Sequence, residues 1–338
     1  MTIQQIIDPA KIESELIRLW EGLAKENKMR ACLFNLIVFN QLSARTDYVR
    51  SIVQKVIGKF PCRVLFISYD PDAKQAYLKT AVSVVTPKNE ESIACDHIDI
   101  GVAGHDLKRI PFLLLPHIIP DLPVYLLWTE DPCKENSLFD ALAKLSHRLI
   151  FDSECADNLI AFSEKVLALH KTGIEIADLN WARTEGWRDL LTSTFDAPDR
   201  QEALKHLASV QITYNAKETE FFCHLKVQSI YLMSWLSARL KWKIEPEKKI
   251  EPTRWEKLGP GTIVSVELKT TDEQLFQCMR LPDQYHYVGI QISTLEKCEL
   301  PFQFLLGKTA TGQSLVQEIT RKETSAHYLE MLKELTHG

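Results

Sequence analysis

Residues 32–40, CLFNLIVFN, and residues 61–70, PCRVLFISYD, are almost continuously apolar, and residues 46–60 between them, TDYVRSIVQKVIGKF, repeat apolar side chains at helical spacing. A strand with one face in water alternates apolar and polar residues. A strand that is apolar throughout is buried on both faces. Two such strands joined by one amphipathic helix form a right-handed βαβ unit with parallel strands. This unit constrains everything around it, because a parallel sheet needs helices over both faces.

The rest of the first half fits that frame. DPAKIESELIRLWEGLAKENK (8–28) reads as a helix, with Asp8 as cap, Pro9 in its first turn, and Ile12, Leu16, Leu19, Trp20 and Leu23 on one face. QAYLKTAVSVVTP and ACDHIDIGVAG read as a hairpin with a long loop around Lys88–Ser92. PFLLLPHIIPDLPVYLLW (111–128) has the length of a membrane span, but its prolines forbid a continuous helix. It reads as a short helix, a turn and a buried strand. A helix, a strand (HRLIFDS) and a helix follow. The expected fold over residues 1–170 is an α/β domain, a mostly parallel, Rossmann-like sheet with helices on both faces.

Beyond Lys171-Thr172-Gly173 the pattern changes. Helices are expected over 178–195, with Asp178 as cap, and over 217–242, with Phe222, Leu225, Leu232, Leu236 and Leu240 on its buried face. KIEPEKKIEP (243–252) reads as an exposed loop. Four strands with hairpin spacing lie between about 261 and 306, and a terminal helix runs from about Ser314 to Leu335. Residues 174–338 therefore read as an α+β domain with an antiparallel sheet.

Neither the formal net charge of −5 nor any Lys/Arg run favours nucleic acid or an anionic membrane. The first residues show no basic start leading into an apolar stretch, so no secretory signal is expected. The eight cysteines are irregularly spaced with no C-x-x-C, which points to reduced thiols in a cytoplasmic protein. Cys95 and His97 stand close, but no second pair completes a metal site. If a thiol switch exists, Cys62 and Cys133 are the first to test.

Catalytic and cofactor signatures are missing. The turn after the first strand, NQLSART (40–46), has no glycine, so it is neither a dinucleotide fingerprint nor a phosphate loop. GVAGHD (101–106) could receive an anion but reads as a simple turn. There is no G-x-S-x-G and no H-E-x-x-H. Arg148, Asp152 and Ser153 bracket a buried strand. They line a cleft at the strand's end or form an internal salt bridge and a helix cap, and the sequence leaves both open.

The stretch DLNWARTEGWRDLL (178–191) concentrates aromatic and cationic side chains. On a helix, Arg183 and Trp187 are four apart and suited to cation–π stacking; Trp181 and Arg188 lie seven apart on one side. Asp178, Trp181, Arg183, Trp187 and Arg188, with Arg148 and Asp152 as second choices, are the candidate anchors of a partner interface or an interdomain contact. The sequence alone favours the internal contact.

These segments, with MRACLFNLIVFN, FPCRVLFI, LLLPHIIPDLPVYLLWTEDP, HRLIFDS and MSWLSARLKW, together resemble the glucose-6-phosphate dehydrogenase assembly proteins, the OpcA family. The resemblance covers nearly the whole length. Glu185-Gly186 stand where the family usually has Thr-Pro, and Trp128 stands alone where a tryptophan pair is common. The resemblance implies a non-enzymatic, cofactor-free activator that binds glucose-6-phosphate dehydrogenase in the oxidative pentose phosphate pathway. A sugar-phosphate- or nucleotide-binding α/β enzyme or sensor is the alternative.

Overall fold

A computed structural model describes residues 5–25, 29–85, 93–219, 224–294, 297–307 and 312–337. In chain order the elements begin with β1 (Gln5–Ile7), α1 (Ile12–Ala24), β2 (Met29–Arg30), β3 (Asn35–Gln41), α2 (Thr46–Ile57), β4 (Arg63–Asp70), β5 (Tyr77–Val85) and β6 (Ile93–Ala103). Then come α3 (Ile110–Leu114), β7 (Val124–Trp128), α4 (Phe139–Leu145), β8 (Arg148–Phe151), α5 (Leu159–Lys171), β9 (Glu175–Asp178), α6 (Leu179–Arg183), α7 (Glu185–Thr194) and α8 (Pro198–Ala203). The chain continues with β10 (Leu207–Asn215), α9 (Val227–Leu240), β11 (Glu247–Thr253), β12 (Ile263–Thr270), β13 (Leu275–Arg280), β14 (Tyr287–Ser293) and β15 (Phe302–Leu305). It ends with α10 (Gln313–Thr320) and α11 (Ala326–His337). The described residues of 1–157, 168–179 and 311–324 form one compact unit, and those of 158–167, 180–310 and 325–338 the other.

The first unit is the α/β layer. Its central strands run β6-β4-β3-β7-β8-β9, all parallel, with β5 antiparallel on β6 and β1 antiparallel on β5. In chain order of the parallel strands this is 3-2-1-4-5-6, the arrangement of a dinucleotide-binding sheet. The apolar runs are buried on both faces, as their composition requires. Leu36, Val38, Val64, Phe66, Leu127 and Ile150 form one core with Val49, Ile52, Val53 and Val56 of α2 and Leu315, Val316 and Ile319 of α10. On the other face, Phe139 of α4 packs edge-on against Trp128. Asp8 accepts from the Ala10 N–H and starts the turn that leads into α1.

The 111–128 segment is a short helix, a turn and strand β7; among the described residues no helix is long and apolar enough to cross a membrane. The β5–β6 hairpin forms, while its expected loop at Lys88–Ser92 lies outside the described residues.

The second unit has a six-stranded sheet in the order β11-β10-β12-β13-β14-β15. Its inner face, with Val210, Ile212, Val266, Leu268, Phe276 and Ile290, packs on Trp187, Leu190 and Leu191 of α7 and Leu232 and Leu236 of α9. Several expectations are corrected here. The sheet is mixed rather than antiparallel, because β11 pairs parallel to β10 over Ser209↔Glu247 to Asn215↔Thr253. That strand falls on the stretch read as a loop. An edge strand tolerates charge and Pro252, since one side of its backbone meets water.

The helix expected over 217–242 is α9, starting at Val227; Phe222 lies outside the described residues. The helix expected over 178–195 is two, α6 and α7, meeting at Thr184, whose φ −88 and ψ 0 interrupt the regular turn. Asp178 is the last residue of β9. The terminal helix is also two, α10 and α11, because Arg321 is extended, with φ −85 and ψ 134.

Candidate functional site

In an open α/β sheet, ligands enter at the carboxyl ends of the strands where the strand order reverses. Here that point lies between β3 and β7. The chain fills it with its own groups. Trp128, at the end of β7, stacks on Phe39 of β3 with ring centroids 4.1 Å apart and planes 9° from parallel. Thr129 donates its hydroxyl to the Phe39 carbonyl at 3.0 Å. The turn after β3 is closed internally. The Thr46 N–H donates to the Ser43 carbonyl at 3.1 Å, the Arg45 N–H to the Ser43 hydroxyl at 3.2 Å, and the Ser43 N–H to the Thr46 hydroxyl at 3.1 Å. A nucleotide phosphate needs such N–H groups.

Where a phosphate loop carries glycine, this chain carries Arg45. Its side chain is buried. Nη2 donates to Asp152 Oδ2 at 2.6 Å and lies 3.6 Å from Glu154 Oε2, and the guanidinium sits 5.4 Å from the Tyr48 ring centroid. Burial opposes the Arg45 charge, but the carboxylates of Asp152 and Glu154 outweigh it and hold its pKa above the ordinary guanidinium value. Behind this pair, Ser153 donates to Asp178 at 2.9 Å. Asp131 accepts the Cys133 and Asp157 N–H groups, each at 2.9 Å.

The sequence singled out Arg148 with Asp152, but they sit at opposite ends of β8. Arg148 donates to Glu318 at 3.0 Å, and Glu318 also accepts from Arg321 at 2.8 Å. Desolvation raises the Glu318 pKa against the pull of these two cations. Arg45, Glu154 and Glu318 were missed. The one available signal was an arginine standing where a βα turn for phosphate carries glycine.

In GVAGHD, Gly101–Ala103 end β6 and the chain turns at Gly104, which adopts φ +62 and where a Cβ would come within 3.1 Å of Ala76. Among the thiols first to test, Cys62 is buried beside Cys95, and burial pushes its pKa well up; Cys133 is exposed. Cys95 is pushed up to about 11, also by burial.

The Trp/Arg cluster lies in the second unit. Arg188 stacks on Trp181, with 3.4 Å from the guanidinium carbon to the ring centroid, and donates to the Trp181 carbonyl at 2.7 Å. The interruption at Thr184 leaves that carbonyl open to a side chain. The cation over Trp187 is Arg280 of β13, at 5.5 Å, rather than Arg183, which donates to Asn180 at 2.8 Å. Burial lowers the Arg280 pKa to about 10. Trp181 also meets Tyr328 at 5.6 Å between centroids. Trp181 and Trp187 are only 3% and 2% exposed, so neither ring is presented to solvent. Gly186 permits the close approach of α7 to Leu306, whose carbonyl oxygen would lie 3.0 Å from an added Cβ.

Residues 53–168 match the family model described as the glucose-6-phosphate dehydrogenase subunit N-terminal domain, and residues 174–332 the one described as its C-terminal domain. A relative from Nostoc punctiforme, named as an OxPP cycle protein OpcA, is 28% identical over 57% of this chain and 40% of its own length. One from Synechocystis with the same name is 26% identical over 56% of this chain and 39% of its own. The chain thus spans less than half the length of these relatives. Among solved structures, KijD10, a 3-ketoreductase from Actinomadura kijaniata, superposes with a TM-score of 0.52 at 9% identity, covering 90% of this chain and 95% of that one. Levoglucosan dehydrogenase superposes at 0.50 with 10% identity, covering 90% of this chain and 96% of that one. At such identities the likeness is one of fold alone.

Proposed function

The chain belongs to the OpcA family of glucose-6-phosphate dehydrogenase assembly proteins, and we propose that it acts as a non-enzymatic partner of that enzyme, binding it, supporting its assembly and raising its activity. The observation that carries this reading is the closed switch point. The sheet keeps the strand order of a dinucleotide-binding layer, yet Arg45, Asp152 and Glu154 occupy the ligand end and the N–H groups of Ser43, Arg45 and Thr46 are taken within the turn. A ligand end occupied by the chain's own side chains supports a role exercised through the surface.

An activator must bind the active or assembled form of its target better than the inactive form, since equal affinity shifts nothing. A tenfold preference requires about 1.4 kcal/mol, within reach of a single well-buried anchor. The test is a titration of this chain into the dehydrogenase of the same organism, following NADPH production and the mass of the species by light scattering. A saturable rise in rate with a larger complex is expected. Two folded proteins that neither associate nor change rate would overturn the reading.

A further inference from the structure

The two edges of the six-stranded sheet are built oppositely. β11 carries Glu247, Lys248, Lys249, Glu251 and Pro252, the charges and proline that keep an edge from pairing with another chain. The segment 300–307 around β15, LPFQFLLG, has no charge at all. Leu300 is 90% exposed, Leu305 55% and Phe302 40%. Tyr287, the register partner of Leu305 on β14, is also exposed, so the apolar edge continues inward. Among the described residues no strand pairs with the outer side of β15. Such an edge is a template for strand addition.

We propose that a second copy of this chain occupies it: two β15 strands pair antiparallel about Gln303 and join the two sheets edge to edge. On one face of the strand the sequence is symmetric about that residue, with Phe302 and Phe304 flanking it and Leu300 and Leu306 beyond, while on the other face Pro301 answers Leu305. Antiparallel pairing with its own copy therefore sets Phe302 opposite Phe304 of the second copy, and Leu300 opposite Leu306. The backbone is oriented to match. Leu306 donates its N–H to the His286 carbonyl at 2.9 Å, and the register is Phe304↔Val288 and Phe302↔Ile290. Residues 302, 304 and 306 thus turn their backbone groups to β14, and Gln303 and Leu305 turn theirs to the open edge. About the two-fold axis, each Gln303 N–H meets the carbonyl of the other Gln303, and each Leu305 N–H meets the Pro301 carbonyl of the second copy. The Phe302–Phe304 pairs fall at the non-hydrogen-bonded positions, where side chains of paired strands come closest. A strand of unrelated sequence would not use this symmetry.

The test is the mass of the full chain by light scattering, from dilute to concentrated protein, for the wild type, Gln303→Pro and Leu305→Lys. Gln303→Pro removes the central outward N–H while sparing the bonds to β14; Leu305→Lys charges the edge. The wild type is expected to rise to twice the chain mass, and both variants to halve it at an unchanged melting temperature. A wild type that stays monomeric overturns the proposal, as does a dimer that survives both folded variants. If Gln303→Pro fails to fold, Leu305→Lys decides alone. A monomer whose complex with the dehydrogenase is lost on Leu305→Lys assigns the edge to that enzyme instead and also overturns it. Self-association is read without the dehydrogenase, so its failure leaves the proposed function standing.

Discussion

The guanidinium of Arg188 lies 3.4 Å from the centre of the Trp181 ring and donates to the carbonyl of that same residue. One side chain therefore covers an aromatic face and satisfies a backbone acceptor left open at the α6–α7 interruption. Arg188→Met keeps the length of the side chain and removes both interactions. The lost cation–π contact costs about 0.5–2 kcal/mol and the lost charged hydrogen bond about 1.5–3 kcal/mol; the Thr184 hydroxyl still donates to that carbonyl at 3.0 Å. Urea unfolding is expected to show a loss of roughly 2–4 kcal/mol. A variant as stable as the wild type would show that the overlay contributes nothing.

Trp187 belongs to the core of the second unit, among Leu190, Val210, Ile212 and Leu232. Trp187→Ala is expected to cost about 3–5 kcal/mol, the usual loss for a large aromatic core residue. A large fall in the thermal midpoint is the outcome consistent with that placement. Unchanged stability with weakened activation of the dehydrogenase would instead make Trp187 an external anchor.

Arg45 stands between two buried carboxylates, Asp152 and Glu154. Breaking a buried ion pair from one side costs more than the pair's own net worth, because the remaining charges stay desolvated. Arg45→Met is expected to lose about 3–5 kcal/mol. Arg45→Met combined with Asp152→Asn and Glu154→Gln is expected to regain most of it. Chemical denaturation of the single and triple variants separates the cases; equal stability of Arg45→Met and wild type refutes the bridge.

What the sequence revealed and what it hid follow from the range of each interaction. The β3 and β4 runs were legible because burial on both faces keeps the middle of each strand, Leu36–Phe39 and Val64–Ile67, apolar. The first turn was legible because Asp8 and Pro9 act within a few residues. Strand β11 was not, because an edge strand half in water has the composition of a loop, Pro252 included. A spacing of seven put Trp181 and Arg188 on one side, but the stacking read from the sequence was Arg183 on Trp187; the interruption at Thr184 and the Arg188–Trp181 overlay were not legible. Arg280 over Trp187 and Glu318 against Arg148 join distant parts of the chain, and no local pattern announces either. The absence of glycine after β3 excluded a phosphate loop, but that Arg45 fills the vacated end emerges only when β8 is set beside β7.

Asp96 gathers the N-terminal helix onto the sheet: it accepts from Trp20 at 2.7 Å and from Arg63 at 2.6 Å and 2.9 Å, and pairs with Arg30. Burial alone would raise its pKa, but Arg30, Arg63 and Trp20 prevail and lower it below the ordinary 3.8. A carboxylate with a depressed folded pKa contributes stability that is complete above its unfolded value and decays as pH falls through the folded one. Asp96→Asn is therefore expected to be less stable than wild type by about 3 kcal/mol near neutrality, with the gap narrowing below about pH 4. Unfolding free energies measured from neutral to acid pH check this; a gap independent of pH would remove the charge from the explanation.

The closed switch point makes a sharper demand on ligands. A dinucleotide needs a glycine turn and a helix start with unclaimed N–H groups, whereas here the turn has no glycine, the Ser43, Arg45 and Thr46 N–H groups are taken within it, and the Arg45 side chain is held by Asp152. Opening the site would require breaking that buried pair. NADP, ATP, glucose 6-phosphate and 6-phosphogluconate, each added alone, are therefore expected to leave the melting temperature unchanged. A ligand that binds only the folded state at a hundred times its Kd would add about 2.7 kcal/mol, a shift that thermal denaturation detects easily. A saturable rise with any of the four, lost on Arg45→Met, would place a phosphate site at the end of β3. The alternative of an α/β ligand-binding protein would then displace the partner reading.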